Sequence, residues 1–170
     1  MTDRPGAPRP PWHREPRGGR HPARKLALQT LFEIDLSRND PKATWERGVF
    51  RAGLNEEAGT FAWDIVQGVL EHRRDLDEEI GALAPEFPID QMPRIDRNVL
   101  RIALYELRYS GDAPASVIID EAVELAKLFG SEASAKFVNG VLATAVGGRD
   151  DVADMSMDEG GAGGGPQPPT

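Results

Sequence analysis

The sequence predicts an all-α protein, and two observations support this fold class. Apolar residues recur at helical spacing almost everywhere from position 26 to position 146. No segment of useful length alternates between polar and apolar residues as a half-buried strand would. Turn-forming groups containing proline, glycine, asparagine or aspartate divide this periodic region. We therefore expect a compact bundle of six or seven helices.

The first two helices have recognisable boundaries. Helix one should start near Pro22, because proline lacks an N–H that would be unused in the first turn, and should end near Ser37. Asp40 followed by Pro41 is typical of a cap and first turn, and Asn55 can cap a third helix. The apolar residues of the first two helices are Leu26, Leu28, Leu31, Phe32, Ile34, Trp45, Val49, Phe50 and Leu54.

The second half of the chain continues the helical pattern. The remaining helices are expected at about residues 55–80, 95–109, 115–129 and 132–146. The first of these is expected to bend around Gly68 or the charged stretch 71–75, and the three prolines of 84–93 indicate a connection. Helix 95–109 is apolar over more than half its circumference and should be central, whereas Gly130 should close the helix before the last one.

Composition sets the limits of the folded part. Residues 1–19 are rich in proline and basic residues, and residues 148–170 are acidic and rich in glycine and proline. Neither segment can bury enough apolar surface to offset the entropy of ordering it, so we expect both to be disordered. The folded domain should span residues 20–147.

Charge is distributed unevenly along the chain. Residues 1–25 carry seven Lys/Arg against two acids, whereas the remainder carries 13 against 26, which together give the net charge of −8. Because salt screens charges beyond roughly 10 Å, a local basic patch can attract an anion even on an acidic protein.

Several classes of function are disfavoured. The absence of cysteine excludes disulfides, thiolate metal sites and cysteine nucleophiles, and is consistent with a cytoplasmic protein. No apolar run approaches the length of a membrane span, and no signal peptide is recognisable. None of the three histidines has a second ligand at helical spacing, and no phosphate-binding loop or serine elbow is present. We expect no catalytic residue, no metal and no cofactor. The acid clusters at 75–79 and 120–124 are expected to form solvated helix faces.

Two groups of residues remain as candidates for binding an anion. Arg20, His21, Arg24 and Lys25 lie at the front of helix one, where backbone N–H groups already favour anions. In the last helix, Lys136 and Asn139 lie three positions apart and share a face. Lys136 could contact phosphates, and Asn139 could contact base edges. A flexible basic tail and an ordinary polar surface are the respective alternatives.

Three segments together resemble the NusB family of bacterial transcription antitermination factors. They are ARKLALQTLFEIDLS (23–37), VLRIALYEL (99–107) and EAVELAKLFGSEASAKFVNGVL (121–142). The resemblance covers about residues 20–146 and implies two packed helical subdomains. It also implies binding to the single-stranded boxA element of nascent ribosomal RNA. The implied protein partners are NusE, a small-subunit ribosomal protein, and, indirectly, other Nus factors and RNA polymerase.

The resemblance also assigns roles to individual positions. The RNA-binding residues would be Arg20, His21, Arg24, Lys25, Lys136 and Asn139. In this chain Pro22 interrupts the basic run. The surface for the protein partner would comprise Phe32, Asp90 and Asp96, whose acidic members suit a basic ribosomal protein.

Two alternatives differ from this adaptor function. One is the helical RNA-binding domain of a ribosomal RNA methyltransferase, although these 170 residues contain no Rossmann-like catalytic segment. The other is a structural protein that forms a homodimer through its apolar faces. The leading expectation is a cytoplasmic RNA-binding protein without enzymatic activity.

Overall fold

The computed structural model describes residues 18–155, and for 148–155 only the backbone. This part of the chain contains seven α-helices and no strand, which confirms the predicted all-α fold. The helices are α1 (Arg20–Leu36), α2 (Pro41–Ala52), α3 (Glu56–Glu71), α4 (Arg73–Leu83), α5 (Arg94–Tyr105), α6 (Ala115–Phe129) and α7 (Glu132–Met155). A short 3₁₀ helix (Ile89–Gln91) precedes α5, and a π-helical turn (Glu106–Ser110) follows it. The chain divides into two compact units at the boundary between Gln67 and Gly68.

The first unit begins its helices with the caps expected from the sequence. The carboxylate of Asp40 accepts a hydrogen bond from the backbone N–H of Ala43 at 3.0 Å, and Pro41 occupies the first turn of α2. The side chain of Asn55 caps α3 in the same way through the N–H of Ala58, at 2.9 Å. These bonds satisfy backbone donors that have no partner inside the helix.

The core of the first unit brings α1, α2 and α3 together. It contains Ala23, Leu26, Leu54, Ala58 and Ala62, with Trp45, Val49 and Phe61 packed against it. A methyl group added at Gly48 would lie 2.4 Å from Leu26, so the glycine allows α1 and α2 to approach closely. Phe50 does not join this core and is 89 % exposed, since it lies one residue, about 100° of helix rotation, beyond the inward-facing Val49.

Residues 55–80, predicted to form one bent helix, form two helices, α3 and α4, which are separated at His72 within the charged stretch. Gly68 is not the point of bending. A Cβ at Gly68 would lie 2.2 Å from the ring of Tyr105, so glycine at this position leaves room for that ring.

The second unit is built around α5, as the sequence predicts. Val99, Leu100 and Leu104 are fully buried among α4, α6 and α7. The buried Arg101 forms two hydrogen bonds with Asp77, at 2.7 and 3.0 Å.

The expectation of a solvated acidic face at 75–79 is therefore only partly correct. Asp77 and Glu79 are partly buried and pair with Arg101 of α5 and Arg108 of the π-helical turn, respectively. Asp75 and Glu78 are exposed. Helical periodicity identifies the helix face that carries an acid, but it does not reveal that this acid pairs with an arginine 24 to 29 residues later in the chain.

The last helix extends further than the sequence suggests. We predict an end near Val146, whereas α7 continues to Met155 because two consecutive glycines weaken a helix without terminating it. Of the segments predicted to be disordered, 1–19 and 148–170, residues 148–155 continue α7, whereas residues 1–17 and 156–170 lie outside the described residues.

Candidate RNA interface

The basic residues near the N-terminus lie in the first two turns of α1. This helix begins at Arg20, two residues before the predicted start, and follows Gly19, whose φ of 102° places it in a conformation that favours glycine. No side chain of the described residues caps α1, and its first turn contains no acidic residue. The positive end of the helix dipole therefore adds to the charges of these side chains, which favours an anionic ligand.

Two of the basic side chains share one aromatic ring. The guanidinium groups of Arg20 and Arg24 lie 5.0 and 5.4 Å from the centroid of Phe61 in α3. Their exposure differs: Arg20 is exposed, whereas Arg24 is only 3 % exposed. Arg24 is therefore suited to fixing α1 against α3, and Arg20 is the member of the pair that a ligand can reach.

The other two residues of the basic run face a groove between α1 and α2. His21 and Lys25 are half-buried and line this groove, which has a volume of about 1200 Å³. The predicted basic run thus separates into a pair stacked on Phe61 and a pair along the groove.

The opposite wall of the groove contains residues that the sequence did not mark as functional. Arg47, Phe50 and Arg51 of α2 lie along this wall. Arg47 pairs with Glu33 of α1 at 3.2 Å, and both side chains are about half exposed. Arg51 is exposed and makes no ion pair or hydrogen bond with the described residues. The sequence signal that could have identified this wall is a basic residue on each side of the apolar pair at 49 and 50, at positions 47 and 51.

The second predicted group lies on α7, in the second unit. Lys136 and Asn139 are both exposed there, three residues apart on one helix. Phe137 between them is half-buried and meets Phe87 edge to face, with ring centroids 5.2 Å apart. Ser131 accepts a hydrogen bond from the backbone N–H at position 134 at 3.1 Å and caps the start of this helix.

The residues predicted to bind a protein partner differ in accessibility. Phe32 on α1 is half-buried, and Asp90 in the 3₁₀ helix is exposed. Asp96 is only 5 % exposed, in the first turn of α5, where the helix dipole favours a carboxylate. Its Oδ1 atom has no hydrogen-bond partner among the described residues.

Among the described residues, no three histidine, cysteine or acidic side chains come together in a way that could hold a metal ion. None of the helices described is long and apolar enough to cross a membrane.

Comparison with known proteins identifies the family. The NusB family model matches residues 21–146. The transcription antitermination protein NusB of Desulforamulus reducens is 38 % identical over 137 residues, which cover 81 % of this chain and 96 % of that protein. A structure of Thermotoga maritima NusB (33 % identity) superposes with a TM-score of 0.70, covering 75 % of this chain and 89 % of the other. A chain from a crystal structure of the antitermination factors NusB and NusE in complex with double-stranded RNA (28 % identity) gives a TM-score of 0.68, with 74 % and 93 % covered. This chain therefore belongs to the NusB family.

Proposed function

We propose that this protein is a transcription antitermination factor without enzymatic activity, which binds the single-stranded boxA element of nascent ribosomal RNA together with NusE. The observation that carries the proposal is the start of α1, which no described side chain caps and where Arg20 is exposed and His21 and Lys25 are half-buried. The family, and the relative solved in a complex with NusE and RNA, support the same function. In this role the protein acts in the cytoplasm and joins other Nus factors and RNA polymerase through its partners.

The basic residues bind the RNA backbone in this proposal. Arg20 and Lys25 contact phosphates, and the N–H groups at the start of α1 add to the attraction. Arg24 holds α1 against Phe61 and so positions the other cations. On α7, the exposed Lys136 and Asn139 supply a phosphate contact and a hydrogen bond to a base edge.

The acidic residues attract the protein partner. A ribosomal protein that binds RNA is basic, and residues 26–170 of this chain carry 13 Lys/Arg against 26 acids. The exposed Asp90 contributes to this attraction, and Phe32 supplies an aromatic contact. Because Asp96 is buried, we expect it to contribute less to the affinity for the partner than the exposed Asp90 does.

The proposal is tested by titrating the protein with a labelled boxA segment and with a shuffled RNA of the same composition, each with and without NusE. We expect tighter binding to boxA, and a further gain when NusE is present, because two ligands that stabilise one complex are linked. Equal affinity for the two RNAs under both conditions would contradict the proposal. Asp90→Asn should weaken the gain from NusE, whereas Glu86→Gln, at another exposed position before the 3₁₀ helix, should leave it unchanged.

A further inference from the structure

The exposed ring of Phe50 is not explained by the packing of α2. The inward face of this helix is supplied by Trp45 and Val49, which pack against the core of the first unit. Phe50 instead lines the groove between α1 and α2 while remaining 89 % exposed. Its ring therefore offers a face to a ligand in this groove.

Cations lie on both walls of the groove that contains this ring. Arg51 is its neighbour in the chain, and Arg47 lies one turn earlier on α2. Lys25 lines the groove from α1. Two acids, Glu33 and Glu46, also line it, and Glu33 is already paired with Arg47. The groove is thus locally basic on a chain whose net charge is −8.

An exposed aromatic ring in a groove lined by cations suits single-stranded nucleic acid. Every base has a face that can stack on an aromatic side chain, and the cations can follow the phosphates. The groove volume of about 1200 Å³ exceeds that of a pocket for one drug-sized molecule, so the groove has room for a short stretch of chain. A basic ribosomal protein suits the groove less well, because Lys25, Arg47 and Arg51 would repel it.

We propose that single-stranded RNA occupies the α1–α2 groove, where one base stacks on Phe50 while Arg51 and Lys25 hold the adjoining phosphates. This inference rests on the proposed RNA-binding function and extends the RNA surface from the start of α1 across to α2. It also gives α2 a direct part in RNA binding, which neither the basic run nor the family resemblance assigns to it.

The test measures the affinity of a labelled single-stranded boxA segment at several salt concentrations, using the full chain. Phe50→Ala should weaken binding about fivefold to a hundredfold without changing the salt dependence, because stacking releases no counterions. Arg51→Gln should make the negative slope of log affinity against log salt less steep by about 0.7, the value for one phosphate contact on a single strand. The controls are Leu36→Ala, which removes another exposed apolar side chain, and Arg38→Gln, which removes another exposed cation. Neither control should change binding.

A direct measure of stacking comes from Phe50→Trp. This variant should bind RNA as tightly as the wild type, and RNA should quench its added fluorescence relative to the wild-type protein, whose three tryptophans provide the background. Because positions 50 and 51 are exposed, circular dichroism and thermal unfolding should be unchanged in all variants.

The results distinguish this inference from the proposed function. If the wild type binds boxA RNA and both Phe50→Ala and Arg51→Gln bind it equally well, the groove inference is overturned and the proposed function stands. If Phe50→Ala weakens binding of NusE but not of RNA, the groove is a protein-binding surface and the inference is likewise overturned. If the wild type does not bind RNA, both proposals fall.

Discussion

The basic residues at the start of α1 should differ in their contribution to RNA binding, although the sequence presents them as one run. Arg20 is exposed and Lys25 half-buried, whereas Arg24 is 3 % exposed and stacked on Phe61. The structure thus provides two accessible arginine or lysine side chains here instead of three. We therefore predict that Arg20→Gln and Lys25→Gln each remove one phosphate contact and that Arg24→Gln removes none.

The size of the effect follows from counterion release. Affinity falls as salt rises, and each lost contact makes the slope of log affinity against log salt less steep by about 0.7. The slope of the double variant Arg20→Gln/Lys25→Gln should therefore be less steep by about 1.4. Because the slopes differ, the factor by which the double variant binds more weakly than the wild type should be about sevenfold smaller at 200 mM salt than at 50 mM salt. Arg24→Gln should keep the wild-type slope and instead lower the free energy of unfolding by about 1–2 kcal/mol, because a buried side chain loses its packing on an aromatic ring.

Fluorescence anisotropy of a labelled boxA segment, measured at four or more salt concentrations, gives the slopes, and urea unfolding gives the stabilities. Arg38→Gln is the matched control, since it removes an exposed charge from the same unit. If Arg24→Gln, fully folded under the assay conditions, makes the slope less steep by as much as Lys25→Gln does, the assignment of Arg24 to a positioning role is wrong.

Three further predictions concern the stability of the fold. Gly68→Ala should lower the free energy of unfolding by about 1–3 kcal/mol, because its Cβ would lie 2.2 Å from an aromatic ring. Gly81→Ala, whose Cβ would have nothing within 4 Å, should be neutral or stabilising, and thermal unfolding compares the two variants. Asp77→Asn should cost roughly 2 kcal/mol in urea unfolding by leaving a buried arginine without its ionised partner, and Glu78→Gln, in an exposed pair, should change stability by under about 0.5 kcal/mol. Asp40→Ala should cost about 1 kcal/mol through loss of the α2 cap, and an unchanged unfolding midpoint would show that the cap contributes nothing.

The helices and their caps were predictable because they depend on local sequence. Periodic apolar residues, the pair Asp40–Pro41 and the amide of Asn55 each act within one or two helical turns. The central position of α5 also followed from its broad apolar face. Such features need no knowledge of which other segment packs nearby.

The accessibility of the candidate site depends on tertiary contacts and was not predictable. Arg24 and Lys25 are adjacent in the chain, yet only Arg24 is withdrawn onto Phe61, more than 30 residues away in sequence. Likewise Phe50 fits an apolar helical pattern as well as Val49 does, but the helix rotation between them leaves it exposed. The buried state of Asp96 could not be deduced from an acid in a first helical turn, a position that is usually solvated.

The proposed antitermination function is tested most directly by terminator readthrough in transcription with purified RNA polymerase, NusE and the other Nus factors. The template carries boxA upstream of a terminator, and a matched template carries a shuffled boxA. We predict that adding this protein raises readthrough on the boxA template and leaves the shuffled template unchanged. If readthrough stays equal on the two templates after the protein is added, the protein does not act as a boxA-dependent antitermination factor.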